Sequence, residues 1–384
     1  MSSLELPDGA TADCNLPKDI ILDILSRLPV RSLIRFRCVC KSWAALTLNP
    51  NFITKHHNRA TEQLIVHTKR SFDSKHHAVT MILRTNKKRN DGIDMELPPP
   101  CDTNNNYVRL VGSCNGLVCI SMCSTGSIVL LWNPATREFR NLPVRQVLVP
   151  NGRRIHAMFI SFGFEPKTSD YKIVRFLSYK KYDSNVPRVG VVEVYSKVND
   201  MWKEVTNPGL KCVVNEYSPS AFVSGVIHWL GTRLDKGKNR VDGKDVIVCF
   251  DLGREVFGDM LLPESSVYAD EYGWQISVVR DSLSLLAFPI CRGNMSKSID
   301  VWVMKEYGVA ESWIKQSSIR LFSGVSRPVG CFKNGELILQ NNKDKLFLYN
   351  PVTKKFGTLP LCSAKYVYDV HSYAESLVSV RVGN

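Results

Sequence analysis

Apolar residues recur along the chain in two different patterns, and the change falls near residue 58. Over residues 16–46 the apolar positions lie three or four apart, which is the spacing of one face of an α-helix. Pro17 suits a first helical turn, and Pro29 ends that helix because proline lacks a backbone N–H. A second short helix is predicted over residues 31–39 and a third from Lys41. This region therefore predicts three short helices.

After residue 58 the pattern becomes one of short apolar or alternating runs. Gly, Pro, Asn and Asp separate these runs, which is typical of many strands joined by turns. Long amphipathic helices are not predicted there. The larger part of the chain is therefore predicted to be an all-β domain.

An aromatic repeat divides the β region. In four segments a second aromatic follows the first by seven positions; the pairs are Trp132/Phe139, Tyr195/Trp202, Phe250/Phe257 and Tyr349/Phe356. Trp302 and Trp313 bracket an expanded fifth copy. Each pair predicts a hairpin whose two aromatics return to the same layer, with a turn between them.

The spacing of these hairpins predicts the architecture. Their first aromatics recur at intervals of about 50 residues, which is typical of kelch-like propeller blades. We expect a kelch-like β-propeller of about six blades, in which residues 366–382 pair with strands near residues 64–83 and close the ring. A β-sandwich or an irregular barrel is the alternative.

Composition limits the class of protein. The chain has 384 residues, of which 44% are hydrophobic and 22% charged, enough for one large core and a small second module. No apolar run approaches the roughly 20 residues of a membrane span, so we expect a cytoplasmic and/or nuclear protein. The 12 cysteines include no CxxC pair, which favours free thiols over a metal site or disulfides.

The formal net charge of +14 raises the question of nucleic-acid binding. The basic residues stand in small separate groups, such as 87–89, 153–154 and 180–181, rather than in one stripe. This distribution favours solvated loops, and an acidic protein partner accounts for the charge as well. No nucleic-acid or membrane partner is expected.

The three helices hold more apolar residues than they can bury among themselves. Periodicity alone leaves two interpretations open: an exposed patch that binds a partner, or a helical cap on the β domain. The residues themselves favour the first. Residues 16–43 resemble the F-box, matching LPxDIxxxILxRLPVxSLxRFRxVCKSW without a gap.

The resemblance implies a Skp-type adaptor as partner and, through it, a cullin and a RING subunit. The residues expected to contact the adaptor are Leu16, Pro17, Ile20, Ile24, Leu28, Pro29, Leu33, Val39 and Trp43. For Trp43 a place in the core formed by the three predicted helices is the favoured interpretation, with direct contact to the adaptor as the alternative.

A second resemblance covers most of the remaining chain. The segments 112–119, 132–137, 163–174, 225–230 and 302–309 are similar to the plant F-box associated domain of type 1. That group includes S-locus F-box proteins and F-box regulators of immune receptors. The implied organisation is a flexible N-terminus over 1–13, an F-box over 14–58 and an F-box associated β domain over 59–384.

The sequence does not favour an enzyme. The chain has no GxSxG or HExxH motif, and the basic run 237–244 lacks the Ser or Thr of a phosphate loop. His228 and Trp229 are expected in the core rather than as ligands. We therefore expect no catalytic residue, no cofactor and no bound metal.

The resulting hypothesis is a substrate receptor of an SCF (Skp, cullin, F-box) ubiquitin ligase, with the β domain holding a target protein. The alternative is an F-box protein that sequesters its target outside the ligase. Target specificity is expected in loops that differ between repeats; the candidates are residues 144–156, 179–188, 232–244 and 265–273.

Overall fold

The computed structural model describes residues 17–69, 77–82, 92–102, 108–122, 128–145, 149, 151–181, 188–206, 212–215, 219–233, 244–263, 272–289, 298–321, 325–343, 345–359 and 366–382. It begins with four helices, which we call the helical module. Their bounds are α1 Lys18–Leu25, α2 Val30–Phe36, α3 Lys41–Leu46 and α4 Pro50–Arg59.

The prediction of three helices was therefore wrong by one. Helix α4 begins at Pro50 after Asn49, whose side-chain oxygen accepts hydrogen bonds from the N–H groups of Asn51 and Phe52. Such a cap and a proline at the first position stabilise a helix start. The helix is mostly polar and buries only Phe52 and His56, so its apolar spacing is weak.

The rest of the described chain forms six antiparallel sheets, which are the blades of a propeller. Blade 1 contains β1 (Gln63–Lys69), β2 (His77–Ile82), β3 (Gly92–Met95) and β25 (Tyr366–Tyr373). Blade 2 contains β4 (Arg109–Cys114), β5 (Leu117–Ser121), β6 (Val129–Asn133) and β7 (Glu138–Asn141). Blade 3 contains β8 (Arg153–Glu165), β9 (Asp170–Lys181), β10 (Arg188–Ser196) and β11 (Met201–Glu204).

The other three blades follow in chain order. Blade 4 contains β12 (Cys212–Val214), β13 (Ala221–Val223), β14 (Val226–Arg233), β15 (Lys244–Asp251) and β16 (Val256–Leu261). Blade 5 contains β17 (Tyr272–Val279), β18 (Ser282–Pro289), β19 (Ser298–Met304) and β20 (Trp313–Arg320). Blade 6 contains β21 (Val325–Cys331), β22 (Leu337–Asn341), β23 (Leu346–Asn350) and β24 (Lys355–Thr358).

The inner strands of neighbouring blades touch around a closed ring. Strand β25 contacts β4 and β21, β4 contacts β8, β8 contacts β14, and β17 links β13 and β14 to β21. Strand β25 also pairs along β1, from Gln63↔Tyr373 to Lys69↔Tyr366. The predicted closure is confirmed for residues 366–373, whereas residues 374–382 leave the sheet.

The four aromatic repeats are hairpins, as predicted. Trp132 pairs with Phe139, Tyr195 with Trp202, Phe250 with Phe257 and Tyr349 with Phe356 directly across their ladders. In each turn the fifth residue after the first aromatic adopts a positive φ, and these residues are Arg137, Asp200, Glu255 and Lys354. The repeat therefore encodes one hairpin geometry.

A side-chain acceptor at the start of each of these turns explains the shared geometry. The side-chain oxygens of Asn133, Asp251 and Asn350 each accept hydrogen bonds from the N–H groups two and three residues later. Ser196 accepts from the N–H of Asn199 in the same place. Such Asx and Ser turns reverse a chain without a glycine.

The fifth copy differs. Trp302 lies opposite Lys315, and Trp313 lies opposite Met304, because Trp313 follows Trp302 by eleven positions instead of seven. Its longer turn carries Tyr307 to blade 4, where the hydroxyl lies 2.8 Å from Nε2 of His228.

His228 and Trp229 are both core residues, which confirms their predicted role. His228 Nδ1 donates to the Ala221 carbonyl at 3.2 Å, so its Nε2 accepts from Tyr307. Burial lowers the pKa of His228 to about 4. Trp229 donates from its indole N–H to the Ser161 hydroxyl at 2.9 Å.

The two ends of the ring are distinct. We call the end that touches the helical module the helix-side face and the opposite end the far face. In blades 3 to 6, turns next to the inner strands gather at the helix-side face: the Arg280 N–H donates to the Lys333 carbonyl at 2.7 Å, and Pro166 packs against Gly225.

A docking segment, residues 374–380, follows β25 across the helix-side face. The Asn133 side-chain amide donates to the carbonyls of Ser376 at 3.0 Å and Val378 at 2.8 Å. The β4–β5 turn lies against the segment, with positive φ at Asn115 and Gly116. A Cβ atom on Gly116 would lie 2.3 Å from the Ser376 Cβ.

Replacing Gly116 with alanine is therefore expected to lower the free energy of unfolding by about 2–4 kcal/mol, because it combines overpacking with a left-handed backbone. Urea unfolding measures the change. Gly357→Ala is the matched control, since nothing lies within 4 Å of a Cβ built at that strand position. Equal stability of the two variants would contradict the tight packing of the docking segment.

Candidate functional site

The helical module has an apolar core of its own that includes one residue from the far end of the chain. The buried residues are Leu22, Leu25, Val30, Leu33, Leu46, Phe52 and Leu377. Leu377 comes from the docking segment and is only 2% exposed. The module is therefore completed by the segment that leaves the propeller.

Hydrogen bonds fix the same junction. The Val30 N–H donates to a Glu375 carboxylate oxygen at 3.2 Å, and His57 Nδ1 donates to the Glu375 carbonyl at 3.2 Å. Burial lowers the pKa of His57, so the ring stays neutral in its place against the docking segment. The Lys333 N–H donates to the Glu62 carboxylate close by. The orientation of the module on the propeller is thus set by specific contacts.

An apolar surface remains on the outside of the module. Helix α1 turns Leu22 and Leu25 inward, whereas Ile20 and Ile24, one turn apart, are each 47% exposed. The predicted contact residues that lie exposed are Pro17, Ile20, Ile24, Pro29 and Val39, and we call them the exposed apolar surface. Val39 is 62% exposed. Burying such a side chain against a partner contributes on the order of 1.5–3 kcal/mol.

The other predicted contact residues have different positions. Leu28 and Trp43 are half-buried against the module core, and the Trp43 ring lies 5.5 Å from the Phe36 ring. Trp43 thus packs with the core of the helical module. Leu33 is 1% exposed, so its packing role explains its presence without a partner. Leu16 lies outside the described residues.

Sequence reasoning missed Leu48, which lies between α3 and α4 and is 56% exposed. It follows the stretch that carries the F-box resemblance, so no motif drew attention to it. Adaptor contact by any of these residues stays a prediction.

Charged side chains border the exposed apolar surface. Arg27 Nε and Arg59 Nη2 lie 2.9 Å and 2.7 Å from the Asp23 carboxylate. Hydrogen bonds from Arg27 and Arg59 lower the pKa of Asp23. Arg31, Arg35 and Lys41 are exposed nearby in the sequence. This border is polar and mainly basic, as expected around an apolar contact surface.

The described ends of the four candidate specificity loops lie at the far face. Their described ends include Arg153 opposite Lys181, Arg233 opposite Lys244, and Tyr272 at the start of β17. Residues 146–148, 150, 182–187, 234–243 and 265–271 of these loops lie outside the described residues. The described ends lie on the opposite side of the ring from the helical module.

One described part of these loops has a structural role. Arg145 pairs with Glu193, which also binds the fully buried Arg175. The Arg175 guanidinium stacks 4.8 Å from the Trp202 ring. Val144 beside it is 67% exposed. The base of this loop is thus anchored, and Val144 is presented at the far face.

Among the described residues, no three His, Cys, Asp or Glu side chains are grouped so that they could hold a metal ion. No described helix is long and apolar enough to cross a membrane. The described cysteines are free thiols, and burial raises the pKa of Cys114 to about 12.

Comparison with known families identifies both parts of the chain. The F-box domain model matches residues 14–55, and the model of the F-box associated beta propeller domain matches residues 71–380. The F-box/kelch-repeat protein At3g23880 of Arabidopsis thaliana is 26% identical, covering 95% of this chain and 96% of that protein. The F-box protein CPR1 of the same plant is 27% identical, covering 94% and 88%.

Among solved structures, a DUF4784 family protein from Bacteroides caccae has a TM-score of 0.41 at 8% identity, covering 82% of this chain and 74% of that chain. A likeness at this level adds nothing to the assignment.

Proposed function

Because the chain belongs to the F-box proteins that carry an F-box associated β-propeller domain, we propose that it is a substrate receptor of an SCF ubiquitin ligase. The observation that carries the proposal is the exposed apolar surface on the outside of a folded F-box module. Ile20, Ile24 and Val39 remain in water there although the module has a complete core.

The exposed apolar surface binds the Skp-type adaptor. Apolar side chains with a polar border are the usual composition of a protein-binding surface. Through the adaptor the receptor joins a cullin and a RING subunit, and these partners bring the ubiquitin-conjugating enzyme.

The propeller holds the target protein at its far face. The helical module occupies the opposite end, so bound adaptor and bound target do not compete for one surface. The receptor itself performs no bond chemistry. It raises the local concentration of target lysines near the conjugating enzyme, and this proximity accounts for the rate of ubiquitin transfer to the target. Such a receptor acts in the cytoplasm and/or nucleus.

The kelch-like character of the blades and a similarity to S-locus or immune-regulator F-box proteins belong to the same proposal. The name of the relative At3g23880 includes the words kelch-repeat protein, and the similarity to the F-box protein CPR1 supports kinship with plant F-box proteins. The target protein is unidentified.

The test is co-purification of a Skp-type adaptor and a cullin with the full chain. We expect the wild-type protein to recover both from a plant extract and to bind purified adaptor at a one-to-one ratio. Circular dichroism of the same sample verifies folding. A folded protein that recovers no adaptor would overturn the ligase function, and recovery of adaptor without cullin would favour sequestration of the target outside the ligase.

A further inference from the structure

Three neighbouring inner strands carry cationic or aromatic side chains where they begin at the far face. Strand β21 has Arg327, β25 has Tyr368 and β4 has Arg109. Strand β25 touches both of the others, so the three side chains lie along one arc of the ring. Lys69 at the end of β1 places its Nζ 5.5 Å from the centre of the Tyr368 ring. We call these four residues the axial cluster.

The buried carboxylate of Asp369 holds one arginine of this cluster, Arg109, in place. Arg109 Nε and Nη2 donate to Asp369 Oδ1 at 3.0 Å and 2.8 Å. The other oxygen accepts from the Leu110 N–H and from His67 Nδ1, both at 3.0 Å. Asp369 is 5% exposed and the Arg109 side chain 39% exposed. The guanidinium is therefore held by the buried carboxylate while part of the Arg109 side chain remains exposed. Because the side chain is already ordered, binding a ligand costs less conformational entropy.

Each of the three strands is also irregular at this place. The β25 ladder skips Tyr368, since His67 pairs with Asp369 and Thr68 with Val367. The β21 ladder shifts between Val325 and Arg327, and the β4 ladder shifts after Leu110. Bulges re-aim side chains and concentrate beside binding sites. At Tyr368 the bulge leaves the side chain 37% exposed, although β25 is the innermost strand of its blade.

The cluster carries more positive than negative charge. Asp369 is its one acid among the described contacts, and it pairs with Arg109 and His67. Arg327 is exposed and donates from Nε to the neutral Gln340 side chain at 2.9 Å. Farther out on the far face, Arg154 lies directly opposite Lys180. Like charges in such positions repel each other, and a bound anion relieves that repulsion.

We propose that the axial cluster binds an acidic segment of the target protein, with Arg327 and Arg109 contacting carboxylate or phosphate groups and Tyr368 packing against the chain between them. This inference rests on the proposed receptor function. A protein segment fits better than nucleic acid because the cations form a short arc around the Tyr368 side chain, whereas a nucleic-acid backbone needs a continuous basic track.

The test uses fluorescence anisotropy with the full chain and three labelled probes of equal length: oligo-glutamate, the same peptide with phosphoserine in place of glutamate, and oligo-glutamine. We expect the two acidic probes to bind and the glutamine probe to fail. The tighter of the acidic probes distinguishes phosphate from carboxylate. Arg327→Glu is expected to weaken binding at least about tenfold, since it replaces an attraction by a repulsion.

Lys355→Glu is the matched control, because it makes the same charge change on an exposed position of the same blade, away from the cluster. Arg109→Lys tests the fixed guanidinium without removing its charge and should weaken binding by less than Arg327→Glu. Equal weakening by Arg327→Glu and Lys355→Glu, or no binding of either acidic probe, would overturn the proposal. Stronger binding of a single-stranded DNA oligonucleotide with the same variant dependence would also overturn it.

Adaptor capture in the same samples separates this inference from the proposed function. Capture of adaptor without peptide binding removes the axial site and keeps the receptor. Peptide binding without adaptor capture keeps the axial site as an anion-binding site and removes the ligase.

Discussion

Replacement of Ile20 and Ile24 together by aspartate is expected to weaken adaptor binding by more than about hundredfold. Each isoleucine loses on the order of 1.5–3 kcal/mol of apolar burial in the complex, and each new carboxylate must also be desolvated. The free protein should tolerate the change, since both side chains are 47% exposed and outside the module core. Titration calorimetry with purified adaptor measures the loss.

Val198→Asp/Val352→Asp is the matched control for this pair. Both valines are exposed apolar residues on propeller turns, so the variant introduces the same charges elsewhere. Undiminished adaptor affinity in the Ile20/Ile24 variant would place the adaptor contact outside the exposed apolar surface. If that variant no longer unfolds cooperatively on heating, the two isoleucines support the fold instead.

Removal of the Asp369 side chain is expected to be the most destabilising point change in the propeller. Asp369→Ala leaves Arg109 and His67 without their carboxylate partner at the closing strand. Breaking a buried ion pair in this way costs about 3–5 kcal/mol. Chemical unfolding followed by tryptophan fluorescence measures the cost, and Glu311→Ala, at an exposed position, should change stability by less than about 0.5 kcal/mol.

Acidification gives a second check on the same carboxylate. Burial alone would raise the pKa of Asp369, but the Arg109 guanidinium and His67 hold it below its usual range. A depressed pKa stabilises the fold above the pKa of a free aspartate, about 3.9, and this contribution is lost as the pH falls below that value. The stability difference between wild type and Asp369→Asn should therefore narrow below about pH 4. A constant difference would contradict the charge-based account.

Local signals predicted the propeller well. An aromatic pair seven residues apart, with Asn, Asp or Ser after the first aromatic, carries both the cross-strand contact and the turn in a single short segment. The prediction needed no information from elsewhere in the chain. The fifth copy departed from it because Trp313 follows Trp302 by eleven positions, and the longer turn places Lys315 rather than the second aromatic opposite Trp302.

The candidate site was only partly predictable, because the burial of some residues depends on contacts between distant parts of the chain. Helical spacing separates the inward Leu22 and Leu25 from the outward Ile20 and Ile24. It does not show that Leu33 is covered, because that depends on how α2 packs against the other helices and Leu377. The axial cluster was not foreseen, since it joins residues from β1, β4, β21 and β25 that only ring closure brings together.

The position of the docking segment in the chain bears on how the protein is made. His57 and Glu375, which are hydrogen-bonded, are 318 residues apart, and Leu377 fills a core whose other members precede residue 53. Domains generally fold in the order of their synthesis, yet the first-made helices here lack a core residue until the ribosome has added the last blade strand. A nascent chain therefore presents an unfinished F-box, and a prematurely terminated one never completes it. On the proposed function, the fold thereby favours adaptor binding by full-length chains over truncated ones.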